Sequence, residues 1–433
     1  MVSGLSLCIG TETKRGETRA ALVPKDAGEL LRQRRNIGLQ RYPERCVRSS
    51  EYRRFGIPVV DSTEDYSVVA ATKEFSPREG DPKAIHPDQI LLAFHHSHKG
   101  QLHNMEMLER ALAQRASLFD YELFVRNGVQ VVSTSQFAGL AGMYNALWTF
   151  GQRQQQEGRP SVFSELPGPR HFNTVMNMRR ILQSVRPVRE NLRMLIVGSG
   201  ACGEGALEGA SWLGIPRISP REVLRATRPG PWVSVLRTEN VVERKKGGPY
   251  DRDEYRRKGN SAYQSSFGNY LGRFNVLVFC SYWSPRFPKL LPQELMLGEA
   301  NHLPEVVSDV TCDLQGSLGC TQRENTIDDP VSTYFPQTHQ THPGFWGHHG
   351  MNVTAVSNLP AQLALSCSEH VSKVLLGVLP PLLSMDYSKS LRRSGLPEEY
   401  WPGFISYKGD LRPGYQALAT HFSWNQFFVE SQN

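Results

Sequence analysis

The feature that most constrains the fold of this chain is a glycine-rich hexapeptide, GSGACG, at residues 198–203. It follows a strand-like apolar run, MLIV, and precedes a helical pattern, EGALEGASWLG. In such a strand–turn–helix unit Gly198 permits a tight turn, Gly200 lets a pyrophosphate approach the backbone, and Gly203 lets helix and strand pack closely. The helix N-terminus adds a partial positive charge. The sequence therefore predicts a Rossmann-like dinucleotide site formed by Gly198, Ser199, Gly200, Ala201, Cys202 and Gly203.

The sequence after the glycine loop bears on which dinucleotide is bound. An NAD site places an acid about 20 residues further on, at the end of the second strand, where it holds the ribose 2′-hydroxyl. Here the chain reads IPRISPREV, which offers Ser219 and Arg221, and no acid precedes Glu222. Because a hydroxyl flanked by arginines suits a 2′-phosphate, we predict NADP, with NAD as the alternative.

The first 135 residues alternate between short apolar strands and helical patterns, which is typical of a parallel α/β sheet. Helical patterns such as DAGELLRQRR and NMEMLERALAQR lie between several of the strands. The predicted strands are SLCIG (6–10), YSVVA (66–70), ILLAF (90–94), SLFD (117–120) and VQVVS (129–133).

The order of these segments predicts two α/β domains. A long helical pattern follows the first strand series, and the glycine loop then begins a second series with strands in WVSVLR, NVLVFCS and EVVSDVT. Residues after about 336 read as a loop, and a helical pattern returns in NLPAQLALSCSEHVSKVLLGVLPPLL. We therefore predict a substrate domain of residues 1–136 with 352–433, a dinucleotide-binding domain of residues 137–351, and a cleft between two Rossmann-like parallel sheets.

Ionisable side chains follow the predicted strands of the first domain, where ligands of open α/β sheets bind. They are Lys14 and Arg19, then Lys73 and Glu74, then His95, His96, His98 and Lys99, and finally Asp120 and Glu122. Such a basic rim suits a substrate with several carboxylates and an amine: an arginine binds carboxylates bidentately, and a lysine near other cations can serve as a base. Surface charge is the alternative for Lys14, Arg19 and Lys73. The H-H-x-H turn converges poorly for zinc, so we predict no metal site.

Composition narrows the class of protein further. The net charge is +7, but the basic clusters are interleaved with acids, which favours a solvated face over a nucleic-acid surface. The seven cysteines form no CxxC pair and are predicted to be buried thiols. The sequence contains no apolar run of the ~18 residues that a membrane span needs. Cytoplasm is the predicted compartment, or the mitochondrial matrix if a presequence is missing; the oligomeric state stays open.

Several motifs taken together resemble one family. ETKRGETRAALVP, KEFSPRE, FHHSHKGQ, FDYE, QFAGLAGM, GSGACGEGA, SYWSPR, SDVTCDLQGS, TIDDP and NLPAQL occur in order from residue 11 to about 375. They resemble the lysine-ketoglutarate reductase half of aminoadipic semialdehyde synthase and the saccharopine dehydrogenases (L-lysine-forming), within the alanine dehydrogenase/transhydrogenase superfamily. The resemblance implies an oxidoreductase that joins L-lysine and 2-oxoglutarate through an imine, which a reduced nicotinamide converts to saccharopine.

The resemblance also implies roles for individual residues. Lys73 would exchange a proton with the secondary amine, and His96 would serve the water-addition step. Substrate would be bound by Lys14, Arg19, Glu74, Lys99, Gln101 and Glu122, and Tyr282, Trp283 and Asp313 would border the nicotinamide. The family pattern is broken at His95, Ser357 and Ser366, so two alternatives stay open: an amino-acid dehydrogenase with another substrate, and a non-catalytic nucleotide sensor.

Overall fold

The computed structural model describes residues 4–73, 75, 85–159, 161–170, 172–225, 229–346 and 350–422. The chain forms two compact units. The first comprises Met1–Ser133 with Ala364–Asn433, and the second comprises Thr134–Leu363. The mixed α/β architecture agrees with the predicted fold class.

The bounds of the strands and helices follow in chain order. The strands are β1 (Leu7–Ile9), β2 (Ile37–Gln40), β3 (Val59–Val60), β4 (Val68–Lys73), β5 (Ile90–Phe94), β6 (Ser117–Asp120), β7 (Val125–Arg126), β8 (Val129–Gln130), β9 (Arg193–Val197), β10 (Trp232–Leu236), β11 (Val242–Arg244), β12 (Tyr263–Ser265), β13 (Val276–Phe279), β14 (Val306–Asp309), β15 (Ser332–Phe335), β16 (Gln340–Pro343), β17 (Met351–Thr354), β18 (Ser406–Tyr407) and β19 (Asp410–Leu411). The α-helices are α1 (Pro24–Arg32), α2 (Ser49–Arg54), α3 (Leu102–Ala113), α4 (Ser135–Gln156), α5 (Val175–Ser184), α6 (Ala201–Ser211), α7 (Pro220–Arg225), α8 (Thr238–Val241), α9 (Arg252–Lys258), α10 (Gln293–Gly298) and α11 (Ala364–Ser384).

The first unit is built on a six-stranded parallel sheet in the order β3-β2-β1-β4-β5-β6. Its central strands are continuous apolar runs that are buried along their length, as expected where both faces of a parallel sheet are covered. All carboxyl ends of these strands lie at one edge. The residues after β1, β4, β5 and β6 are therefore brought together although they are distant in sequence.

The second unit contains a seven-stranded sheet in the order β10-β9-β13-β14-β17-β15-β16. The first five strands of this order, from β10 through β9, β13 and β14 to β17, are parallel. Strands β15 and β16 run antiparallel to their neighbours. The chain passes from β9 to β10 on one side and then returns to β13 on the other. This reversal of direction is the topological switch point at which open α/β sheets bind their ligands.

The structure corrects four secondary-structure predictions. The segment VQVVS does not join the parallel sheet, because its first two residues form β8 of a small hairpin with β7, with Asn127-Gly128 at the turn. Strand β2 lies in a segment that we interpreted only as a charged cluster. Residues 332–343 form a hairpin rather than a loop. The predicted second strand of the nucleotide fold at residues 215–219 is instead β10, since β10 pairs with β9 along its length.

The second unit ends later than the predicted domain boundary. Strand β17 pairs with β14 and β15 and so belongs to the second sheet, and the chain enters the first unit only at Ala364. All seven cysteines are free thiols. Within the described residues, no helix has the length and apolar character that crossing a lipid bilayer requires. The compartment stays a prediction.

Candidate active site

Asp120, at the end of β6, holds together the loops at the carboxyl edge of the first sheet. Its buried carboxylate accepts hydrogen bonds from the backbone N–H groups of His96 and Glu122, both at 2.8 Å, and lies 3.3 Å from Nδ1 of His98. Burial acts against ionisation, yet these bonds, led by that of His98, lower the pKa of Asp120. The carboxylate thus stabilises His96 in a left-handed conformation with φ of 56°, which is costly for a residue with a side chain.

A chain of polar contacts links Lys73, His96 and Glu122. Nζ of Lys73 lies 3.4 Å from Nε2 of His96, and Nδ1 of His96 lies 2.7 Å from Oε2 of Glu122. The same carboxylate oxygen pairs with Nζ of Lys99 at 3.0 Å. We assign the proton of His96 to Nδ1, because the short bond to Glu122 needs a donor there. Nε2 is then a lone pair directed towards the ammonium group of Lys73.

The charges of the site set the ionisation of this chain. Burial and the positive charges of Lys73 and Lys99 lower the pKa of His96, against the hydrogen bond with Glu122. Although burial acts to raise it, the hydrogen bond from His96 and the charge of Lys99 lower the pKa of Glu122 to about 2. At neutral pH the imidazole is therefore neutral and the carboxylate ionised. An imidazole in this state can accept a proton at Nε2.

A buried carboxylate that the sequence analysis did not single out fixes the backbone at Lys73. Glu12 accepts hydrogen bonds from the backbone N–H groups of Thr72 at 2.6 Å and Lys73 at 2.9 Å. Burial, together with repulsion from Glu17, raises the pKa of Glu12. The register between β4 and β5 shifts between Ala70 and Lys73, so the end of β4 is irregular. The two hydrogen bonds to Glu12 fix the backbone there and so define the direction of the Lys73 side chain.

Arg19 is 1% exposed and is paired with Glu17. Its Nε donates to Oε1 at 2.8 Å, and its Nη2 lies 2.5 Å from Oε2, so the two groups form a bidentate pair. Nη1 points to Sγ of Cys367 at 3.5 Å. A substrate carboxylate can reach this guanidinium only if the pair with Glu17 separates. The predicted role of Arg19 in substrate binding therefore stays a prediction that needs a local rearrangement.

The other predicted residues of this edge are placed as follows. Lys14 is half-buried in the loop after β1, and Gln101 is exposed at the N-terminus of α3. Glu74 lies outside the described residues. His95 is fully buried, with Nε2 3.0 Å from the carbonyl oxygen of Leu91, and so belongs to the core. Of the three histidines of FHHSHKGQ, His96 is the one placed in the Lys73–Glu122 chain.

Within the described residues, no three His, Cys, Asp or Glu side chains are grouped so that they could hold a metal ion. His96 and His98 instead contact carboxylates, and both lie near Glu122, at 2.7 and 3.7 Å. His98 contacts Asp120, His96 contacts Glu122, and His95 faces the interior of the sheet.

The glycine loop of the second unit has the geometry that a dinucleotide site requires. Gly198 has φ of 115°, and a Cβ there would lie 2.8 Å from the backbone of Cys280. A Cβ on Gly203 would lie 2.0 Å from the carbonyl oxygen of Gly198, whereas one on Gly200 would meet nothing within 4 Å. The first and third glycines are therefore needed for packing, and the second leaves open space. The same segment contains Ser199, Ala201 and Cys202 and leads into α6. The N-terminus of α6 can face a pyrophosphate.

Ser219 has a local role in its own helix, and the binding of a 2′-phosphate by Ser219 and Arg221 stays a prediction. Ser219 caps the short helix α7 by bonding reciprocally with Glu222: its N–H donates at 2.7 Å, and its Oγ accepts at 3.3 Å. Ile218, just before it, bonds the backbone of Val233 near the start of β10. The Gly198 N–H donates a hydrogen bond to the carbonyl oxygen of Leu236, the last residue of β10. The carboxyl end of β10 therefore lies beside the glycine loop, and Arg237 follows it.

Tyr282 and Asp313 follow two other strands of this sheet. Tyr282 comes after β13 and is 79% exposed, and Asp313 is exposed in the loop after β14. Asp313 and Trp283 both lie within contact distance of Gly316. The structure thus brings these side chains to the carboxyl edge of the sheet, while their predicted contact with a nicotinamide stays a prediction.

Sequence reasoning did not use Glu12 and Glu17 as parts of the site, and it named Asp120 only among the ionisable groups of the sheet edge. Glu12 and Asp120 bond groups from other strands or loops, whereas Glu17 pairs with Arg19, two residues further along its own loop. A signal was nevertheless present for two of them. Glu12 and Asp120 stand at or directly after strand ends, where a buried acid must be bonded to be tolerated.

Comparison with known proteins shows which proteins this chain is similar to. Residues 8–141 match the family model of the alanine dehydrogenase/PNT N-terminal domain. Among solved structures, an L-alanine dehydrogenase superposes with a TM-score of 0.63 at 15% identity, covering 96% of this chain and 99% of that chain. The predicted two-domain Rossmann-type α/β fold is thereby confirmed.

Two groups of curated relatives are more specific. The chain is 25% identical to alpha-aminoadipic semialdehyde synthase of Arabidopsis thaliana over 93% of its own length and 40% of that protein. It is 26% identical to a saccharopine dehydrogenase [NAD(+), L-lysine-forming] of Schizosaccharomyces pombe, over 88% of this chain and 94% of that one. The chain is therefore a homologue of these two groups of proteins, and the resemblance found in its motifs is confirmed. It spans less than half of the length of the semialdehyde synthases that it matches.

Proposed function

We propose that this chain catalyses the reversible joining of L-lysine and 2-oxoglutarate into saccharopine with a nicotinamide dinucleotide. The observation that carries the proposal is the chain of contacts from Lys73 through His96 to Glu122, set among further cations at the edge of a parallel sheet. The names of the homologues supply the substrate class. A three-carboxylate product suits a rim of this charge.

The contacts of His96 suit the steps that form and remove water. The ε-amine of lysine adds to the ketone carbon of 2-oxoglutarate, and the carbinolamine then loses water to give an imine. Nε2 of His96 can take a proton in the addition and return it to the leaving hydroxyl, while Glu122 stabilises the imidazolium that forms between the two steps. Asp120 keeps the imidazole in place through the backbone.

Lys73 is placed to act on the nitrogen of the product. Reduction of the imine produces a secondary amine. Its nitrogen gains a proton when saccharopine forms and loses one in the reverse reaction. The reduced nicotinamide supplies only the hydride. Nζ of Lys73 would exchange that proton and could pass it to Nε2 of His96, 3.4 Å away. Lys14, Arg19, Glu74, Lys99 and Gln101 would bind the carboxylate and ammonium groups of the substrates.

The cofactor would be held by the second unit. The open space at Gly200 and the close packing at Gly198 and Gly203 fit a pyrophosphate at the start of α6. We retain NADP as the preferred cofactor and NAD as the alternative.

The test is a steady-state assay of reduced-nicotinamide oxidation, run with lysine and 2-oxoglutarate together and with each alone. The proposal predicts oxidation only when both are present, and its loss in Lys73→Gln. Lys25→Gln, an exposed lysine of α1, is the matched control and should keep the wild-type rate. Oxidation with a single 2-oxo acid and ammonia would instead show an amino-acid dehydrogenase with another substrate. Nucleotide binding without any turnover would favour a sensor.

A further inference from the structure

A cavity of about 230 Å³ lies in the second unit beyond the carboxyl ends of β10 and β13. Thr238 after β10 and Ser281 after β13 line it on two sides, and the glycine loop follows the strand between them. Its remaining wall comes from residues 241–256, between β10 and β13, and from residues 279–290 with Ser317. The cavity is smaller than the ~300–1,000 Å³ of a site for a whole drug-sized ligand, so it suits one end of a long ligand.

Aromatic side chains form much of the wall of this cavity. Tyr255 stacks on Phe287 with ring centroids 4.8 Å apart, and Tyr250 lies 5.8 Å from Tyr255. Tyr282 lines the same cavity and is 79% exposed. Flat aromatic faces beside a partly open cavity are suited to stacking on a planar base. The lining is therefore appropriate for the adenine end of a dinucleotide.

Two arginines of α9 give the cavity a positive charge. Arg252 and Arg256 both line it and are exposed, and among the described residues neither guanidinium has an ion-pair or hydrogen-bond partner. They are four residues apart on one helix face, an arrangement that is unfavourable for like charges unless an anion lies between them. The nearby carboxylate of Glu254 is already held by Arg244 at 2.6 Å and Lys258 at 3.0 Å.

No acidic side chain is found among the described residues that line the cavity. In an NAD site, an acid at the end of the second strand binds the two ribose hydroxyls. Here that position carries Arg237 and Thr238, and Thr238 lines the cavity. A site with two unpaired arginines and no carboxylate would favour a phosphate over a hydroxyl at this point.

We propose that this cavity binds the adenosine end of the cofactor and that Arg252 and Arg256 hold its 2′-phosphate, so that the chain prefers NADP to NAD. The inference rests on the proposed use of a nicotinamide dinucleotide. It assigns cofactor choice to α9, in place of Ser219 and Arg221. Tyr282 then stacks near the adenine instead of bordering the nicotinamide.

The experiment is calorimetric titration of the full chain with adenosine 2′,5′-bisphosphate and, separately, with adenosine 5′-monophosphate. The wild type is expected to bind the bisphosphate tighter by about tenfold to a hundredfold, the effect of one or two charge-assisted hydrogen bonds. Arg252→Gln with Arg256→Gln is expected to remove this preference while leaving the affinity for the monophosphate unchanged. Arg257→Gln on the same helix, which does not line the cavity, should keep the preference.

Equal affinity of the wild type for the two nucleotides would overturn the inference, as would a preference that survives in the double variant. Thermal unfolding of each variant checks that the exposed substitutions leave the fold intact. The result is independent of the proposed reaction. If the bisphosphate preference depends on the two arginines but lysine and 2-oxoglutarate are not joined, the nucleotide site stands and the reaction is wrong. If the reaction proceeds and the preference is absent, only this inference fails.

Discussion

At the scale of single residues, the account depends on Lys73 and His96 having separate roles in proton transfer. Their nitrogen atoms are 3.4 Å apart, and Nδ1 of His96 lies 2.7 Å from Glu122. Each side chain can therefore be changed without removing the other from its backbone position, since Asp120 and Glu12 hold the two segments through main-chain N–H groups.

Substituting either residue should lower turnover strongly and binding weakly. We expect Lys73→Gln and His96→Asn each to lower kcat by about 10²–10⁴-fold, the range for a lost acid–base group. The KM for the nicotinamide should change little. Steady-state kinetics on purified variants measure both quantities, with Lys25→Gln as control. A rate within a few-fold of the wild type for either variant would contradict the assigned roles.

The low pKa of Glu122 makes a prediction about acid stability. The folded-state value of about 2 lies below the ordinary 4.5, so the stabilisation by this carboxylate is complete above pH 4.5 and is lost as pH falls towards 2. Between pH 5 and 3 we expect the free energy of unfolding of Glu122→Gln to fall less than that of the wild type. Over the whole titration of Glu122 the difference between the two proteins is at most about 3 kcal/mol. Thermal unfolding followed by circular dichroism measures this, and parallel curves for the two proteins would refute it.

At the scale of elements, two glycines of the glycine loop have different roles. Gly203 is needed for the fold, and Gly200 is needed for binding of the nucleotide. A Cβ at Gly200 meets nothing within 4 Å, whereas one at Gly203 would lie 2.0 Å from the backbone of Gly198. We expect Gly200→Ala to keep the wild-type Tm and to weaken nucleotide binding at least tenfold, because the methyl group occupies the space for the pyrophosphate. Gly203→Ala should lower the Tm by several degrees, as overpacking costs about 1–3 kcal/mol. Equal effects of the two substitutions on Tm would contradict this reading.

The short helix α7 allows a second prediction at this scale. Arg221 is exposed on α7, and Glu222 on the same helix lines a cavity with Arg193 and Trp232, the first residues of β9 and β10. This places Glu222 of α7 beside the amino ends of those strands. Arg221→Gln should therefore leave the ratio of affinities for NADPH and NADH unchanged, as measured by fluorescence titration. A shift towards NADH would support the prediction that Arg221 binds the 2′-phosphate.

The elements also show what a single sequence can predict. Strands β5 and β6 were predicted with their observed bounds, since continuous apolar runs in a parallel sheet carry a strong signal. Strand β2 was missed because its four residues lie beside a cluster of arginines. The placement of Ser219 depended on a count of residues, and its role in binding stays a prediction. A second short segment, bonded to β10 at Val233, lies between the glycine loop and the true second strand, and a count of about 20 residues cannot detect such an insertion.

For the site, local sequence located the candidates but not their partners. The order of strand ends brought Lys73, His96, Lys99 and Glu122 into one group, and the structure places these four side chains together. The sequence did not indicate that Arg19 would be paired with Glu17, because residues two apart on a loop have no fixed geometry. The roles of Glu12 and Asp120 depend on contacts 60 and 24 residues away along the chain.

At the scale of the whole molecule, the two units carry different parts of the chemistry. The first unit has a cationic rim with a proton-transfer chain, and the second has a glycine loop with an aromatic and basic cavity. Neither part alone distinguishes the joining of two substrates from the amination of one. The central claim is therefore about the product.

The most direct test is the mass of the product formed from lysine, 2-oxoglutarate and a reduced nicotinamide dinucleotide. The account predicts one new species with the mass of saccharopine, formed in proportion to the nucleotide oxidised and absent with His96→Asn. Glutamate as the product, or oxidation that does not depend on lysine, would contradict the account and point to an amino-acid dehydrogenase of different substrate.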